Sequence, residues 1–174
     1  KKLLLIILCV LITKQNFSQN VPAYVPTNGL VGWWPFSSNA IDSSGNGNNG
    51  TVNGAQLTTD RFGNINKAYS FNGISNFISI PSQPMLNCNS SISLASWVNT
   101  NLFNTNTNQQ IISRERYVEG ISYILGISNQ NPSAGVNNAN GICPACNVWV
   151  ANNSNLNINT WYYLVSTWDG SVLK

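Results

Sequence analysis

Past residue 29 the chain alternates short apolar runs with clusters of Asn, Gly and Ser, and no long stretch repeats every 3.6 residues. The apolar runs predict strands over Leu30–Phe36, Ala68–Phe71, Phe77–Ile80, Ile92–Val98, Gln110–Ser113, Ile121–Ile127, Val148–Ala151 and Trp161–Thr167. Several of them alternate with the period of two that a half-buried strand requires. Ile92, Leu94 and Val98 fall on one face, opposed by Ser93, Ala95 and Trp97. Tyr162, Leu164 and Ser166 likewise oppose Trp161, Tyr163 and Val165. Such runs, joined by turn-forming residues, predict an all-β, antiparallel sandwich or barrel with little helix.

The connections are rich in Asn, most clearly at 99–108 and 137–141. Asn closes Asx-turns and tolerates left-handed backbone, so these segments read as hydrated loops. Asp169-Gly170 is a hairpin-turn signal, and Ser171–Lys174 begins a returning strand. The expectation is a domain cut before its last strands, with further domains in the same protein.

The first residues follow a different pattern. Lys1-Lys2 precedes an apolar run from Leu3 to Ile12, and Asn16-Phe17-Ser18 offers a small residue for cleavage. About ten apolar residues are too few to span a bilayer, which takes roughly 20. Residues 1–18 therefore read as a signal peptide, 19–28 as an extended lead-in and 29–174 as one domain. Cys9 has no lipobox before it.

Composition narrows the chemistry. Only 7% of the 174 residues are charged, against roughly 25% in an average soluble protein. Six Trp, six Tyr and six Phe supply more buryable surface than a disordered chain carries. The absence of His excludes a Ser-His-Asp triad, a Cys-His pair and a His-ligated zinc. Cleavage would remove Lys1, Lys2 and Lys14, leaving five basic against five acidic residues. The net charge of +3 therefore belongs to the targeting segment, and nucleic-acid binding, which needs clustered Lys and Arg, is excluded.

Cys88, Cys143 and Cys146 remain after cleavage. An oxidising destination favours a disulfide among them. The Cys143-Pro144-Ala145-Cys146 spacing also occurs in redox motifs, but those place the first Cys at a helix N-terminus, whereas a strand is predicted to follow here. The pairing stays open.

The segment Asp42-Ser43-Ser44-Gly45-Asn46-Gly47-Asn48-Asn49-Gly50 concentrates oxygen donors on a loop whose glycines permit sharp turns. Calcium takes such hard ligands, and Asp42, Ser44 and Asn46 are its candidate ligands. The alternative is a tight polar turn in which Asp42 bonds its own backbone.

These residues also carry a family resemblance. Gly29-Leu30-Val31-Gly32-Trp33-Trp34-Pro35-Phe36, Asn39-Ala40-Ile41-Asp42 and the Gly/Asn run to Gly54 resemble the opening of laminin-G-like domains of the concanavalin A-like lectin/glucanase superfamily, in the form common in exported Bacteroidetes-type proteins. The likeness continues through Asp60–Asn64, Ala68–Gly73, Phe77–Pro81, Ser93–Val98 and Asn159–Val165 to Trp168-Asp169-Gly170. It implies a jelly roll of two antiparallel sheets, extracellular or cell-surface placement, frequent calcium, and carbohydrate or protein ligands. It also implies last strands that lie beyond Lys174. Asn72 and Ser75-Asn76 stand where the family often has acids, which weakens the attraction for a divalent cation. The Glu-x-Asp-x-x-Glu type cluster of the superfamily's glucanases has no counterpart, and Glu115 and Glu119 lie beside Arg114 and Arg116. Two carboxylates flanking a glycosidic bond are the ordinary requirement for hydrolysis, so no catalytic residue is expected.

Sugar binding needs aromatic faces and hydrogen-bonding amides. Trp34, Trp97 and Trp161 lie in apolar runs and read as core. Trp149 beside Asn147, together with Tyr117, are the ligand-binding candidates. The expected function is a noncatalytic glycan- or polysaccharide-binding module. The alternatives are a structural or protein-adhesion domain and, more weakly, part of a polysaccharide hydrolase.

Overall fold

The structure, a computed structural model, describes residues 21–87, 90–104, 108–114, 121–138 and 147–174. The signal segment 1–18, Cys88, Cys143, Cys146 and Tyr117 lie outside them. Ten strands occur among the described residues: β1 Thr51–Asn53, β2 Gln56–Thr58, β3 Ala68–Ser70, β4 Phe77–Ser79, β5 Ile92–Asn99, β6 Gln109–Arg114, β7 Ile121–Ser128, β8 Asn131–Asn138, β9 Asn147–Ala151 and β10 Trp161–Trp168. One 3-10 turn, Pro84–Leu86, is the sole helical element among these residues. All strand pairs are antiparallel.

Two layers form the core. One is the β5–β10 pair, in register from Ile92↔Trp168 to Asn99↔Trp161. The other is a four-stranded sheet in the order β6-β7-β8-β9. Alternation decides what each layer buries. Ile92, Leu94 and Val98 of β5 and Leu164 and Trp168 of β10 turn inward, where they meet Tyr123, Leu125 and Ile127 of β7 and Ala134 and Val136 of β8. Leu156 and Leu173 close the same cluster. This is the predicted all-β antiparallel sandwich. Two small ladders, β1–β4 and β2–β3, complete the described strands.

The Asp169-Gly170 turn forms as predicted. Trp168 bridges Leu173, Thr167 and Lys174 exchange two 2.9 Å backbone bonds, and Asp169 Oδ1 accepts from the N–H groups of Ser171 and Val172.

Four expectations need correction. Leu30–Phe36 forms no strand. Its polar groups bond the following loop instead: Trp33 N–H donates to Asp42, Ser43 N–H to Trp33 O, and Trp34 Nε1 to Asn48 O. Asn137 and Asn138, assigned to a loop, end β8, a strand that composition concealed. The Asn129-Gln130 turn before it has φ of 49° and 70°, the conformation that a two-residue hairpin demands. Trp97, read as core, is 43% exposed. Residues 21–28, expected to be extended, carry two turns, Val25 N–H to Pro22 O and Leu30 N–H to Thr27 O.

Candidate functional site

Trp149 sits in the middle of β9, directly opposite Gly135 of β8, which in turn lies opposite Ile124 of β7. Their neighbours in sequence pair with the core-facing positions, so these three share the outer face of the four-stranded sheet. A Cβ on Gly135 would run into the indole Cε3 and stand 3.1 Å from Ile124 Cγ2. The ring therefore rests on bare backbone, a close approach only Gly permits. Trp149 keeps 48% of its surface exposed. Asn137, also exposed, is two positions along on the same face, and Asn147 pairs with it in register.

A second polar feature is an open cleft of about 390 Å³ lined by Gly54, Gln56, Ser70, Phe71, Asn72 and Asn76. Asn72 Oδ1 accepts from the N–H groups of Ile74, Ser75 and Asn76, and Asn76 Oδ1 accepts from Asn72 N–H. The neutral Asn72 thus closes this turn with its own side chain. The Gln56 amide and the Ser70 hydroxyl are left available to a ligand beside the half-exposed Phe71.

The Asp42 loop is knitted to itself. Asp42 Oδ1 accepts from the N–H groups of Trp33 and Ser44, both at 2.9 Å. Its Oδ2 accepts from Ser44 Oγ at 2.9 Å and Asn48 N–H at 3.0 Å. Asn46 Nδ2 donates to Leu30 O and Val31 O. Burial alone would raise the Asp42 pKa, but the hydrogen bonds from Trp33, Ser44 and Asn48 outweigh it and hold the carboxyl below its ordinary value. Four donors aimed at two oxygens leave no carboxylate lone pair for a cation, so Asp42, Ser44 and Asn46 do not fit calcium as arranged. Among the described residues no cluster of three metal-ligating acids or cysteines occurs.

The structure thus leaves the expected residues apart: Trp149 on the sheet face, Asp42 within a self-bonded loop. It also shows aromatic residues that the sequence reading missed. Trp97 pairs with Tyr163 at a centroid separation of 5.2 Å, and Arg61 lies over Trp97. The signal was present, because a strand that turns Ile92, Leu94 and Val98 inward must turn Trp97 out.

The two-layer antiparallel β fold, with exposed aromatic residues on its outer faces, is a β-sandwich of a kind that fits a binding module. The laminin G family model, described as the concanavalin A-like lectin/glucanases superfamily, matches residues 72–174. That is more than half of the chain, which belongs to this family. The match spans β4 to β10 and begins after the Asp42 loop. No curated protein and no solved structure matches the chain. Among the described residues, no helix is long and apolar enough to cross a membrane.

Proposed function

We propose that this is an extracellular, noncatalytic module that binds glycans reversibly. The observation that carries the reading is Trp149, whose indole lies over Gly135 with half its surface open. A flat aromatic ring held against backbone is the platform that the apolar side of a sugar ring needs. Exposed amides such as Asn137 on the same face supply hydrogen bonds to hydroxyls. Three carboxylates, Asp42, Asp60 and Asp169, each close a local turn, which supports a binding role over hydrolysis. The family's usual placement outside the cell accords with the leader-like first residues.

The test is retention on a glycan array, followed by titration of the Trp149→Ala variant. Loss of one stacking face weakens binding by roughly two- to tenfold while the melting midpoint stays close to that of the parent. A folded protein that retains no sugar would instead favour a structural or adhesive role.

A further inference from the structure

The loop between β2 and β3 holds a cation over the outer face of the other layer. Asp60 Oδ1 accepts from Phe62 N–H at 2.8 Å and Asn64 N–H at 2.9 Å, and Oδ2 accepts from Asn64 Nδ2 at 3.1 Å. Gly63 takes φ of +83° to close the turn. Arg61 is thereby laid between two rings, its guanidinium carbon 4.2 Å from the Phe62 centroid and 4.4 Å from that of Trp97. Trp97 is paired in turn with Tyr163, directly across from it in the β5–β10 register.

Two properties of this cluster point to a ligand. The first is charge. Arg61 carries its charge beside Asp60 and helps to hold that carboxyl below its ordinary value, but the Asp60 oxygens are taken up by hydrogen bonds from the turn. A guanidinium stacked between rings still presents its N–H groups in its own plane, in the fork that matches a carboxylate or sulfate. The second is shape. Tyr163 and Trp97 remain 54% and 43% exposed, and Val165 continues the same face at 51%. One cation beside two exposed rings tilted by 33° suits a sugar ring that carries one anionic group per unit. An acidic peptide would call for several cations along an extended track.

We propose that this face binds an anionic saccharide. The Arg61 fork pairs with a carboxylate or sulfate on the sugar, and Tyr163 with Trp97 stacks against its ring. The site is separate from Trp149, which lies on the outer face of the four-stranded sheet, so either reading can fail alone.

The test titrates the full chain with polygalacturonate, dextran sulfate, neutral dextran and oligoglutamate, with a thermal melt to show that each variant is folded. At least one of the two anionic polysaccharides binds more tightly than dextran, and which one does so identifies the anion as carboxylate or sulfate. Arg61→Gln weakens that binding about tenfold or more, the size of a lost charge-assisted bond. Arg61→Lys keeps the charge but loses the fork and is also weakened. Trp97→Ala is weakened with its charge unchanged. The proposal is overturned if the folded parent prefers neither anionic polysaccharide to dextran, if Arg61→Gln binds like the parent, or if oligoglutamate binds best. Indifference to Trp97→Ala would also overturn it, reducing the effect to general attraction between charges.

Discussion

At the scale of single residues, the described acidic groups share one task. Asp42, Asp60 and Asp169 each accept several hydrogen bonds from the turn that follows them, and each carboxyl is held below its ordinary value. At Asp42 burial opposes this and the bonds from Trp33, Ser44 and Asn48 prevail; at Asp169 the Val172 and Ser171 N–H groups lead. A carboxyl whose folded pKa lies below its unfolded one stabilises the fold fully above the unfolded value of 3.8. That contribution is lost as pH falls through the lower, folded value. Denaturant midpoints should therefore be flat from neutral pH down to about 5 and fall below 4. Asp42→Asn replaces one acceptor oxygen by an NH2 group facing N–H and O–H donors at a buried position of the loop. It should cost about 1–3 kcal/mol at neutral pH and flatten part of the acid limb. Chelator should leave the parent's midpoint unchanged, since the Asp42 oxygens are already filled. An acid limb as steep in the variant as in the parent would assign it to other groups.

At the scale of elements, legibility in the sequence followed the regularity of the alternation. β5 and β10 could be read as strands from their runs of β-branched and aromatic residues bounded by turns, but not at every side chain: Trp97 and Val165 face out while Ser166 is buried. β8 could not. Asn131-Pro132-Ser133-Ala134-Gly135-Val136-Asn137-Asn138 has the composition of a loop, and it is a strand because β7 and β9 flank it on both sides. Leu30–Phe36 is the converse, an apolar run whose hydrogen bonds go to the Asp42 loop. Of the candidate sites, Trp149 was legible as an aromatic next to polar residues. Its support was not, since only the register reveals that Gly135 lies beneath it. Arg61 was illegible, because it reaches Trp97 through a turn rather than along a strand. The Gly135 support makes a prediction at this scale. Gly135→Ala puts a methyl into the indole and should lift the ring from the sheet, at about 1–3 kcal/mol for the overpacked contact. Near-ultraviolet circular dichroism would report the displaced ring, and glycan affinity should fall with it. In a Trp149→Ala background the same substitution should have little further effect on affinity, because interacting sites are not additive. Equal losses in both backgrounds would mean that Gly135 acts on the sheet and not through the indole.

At the scale of the molecule, the two layers expose different chemistry on their outer faces and share one core between them. Leu125 of β7 is 2% exposed, and Trp168 of β10, equally buried, belongs to the same cluster. The β5–β10 pair is two-stranded, and isolated hairpin-sized sheets are marginal in water, so it depends on the shared core. Leu125→Ala should therefore cost about 2–5 kcal/mol, the range for deleting a buried leucine side chain. That loss belongs to both layers even though the residue sits in one of them. Fluorine-labelled tryptophan distinguishes this from local damage, since Trp97 and Trp149 report from opposite outer faces. Both resonances should move to the same lower denaturant midpoint in the variant, as a single cooperative unit requires. Were Trp149 to melt early while Trp97 kept the parent's midpoint, the layers would be separate folding units. The aromatic faces would then need other support than the shared core to hold their geometry.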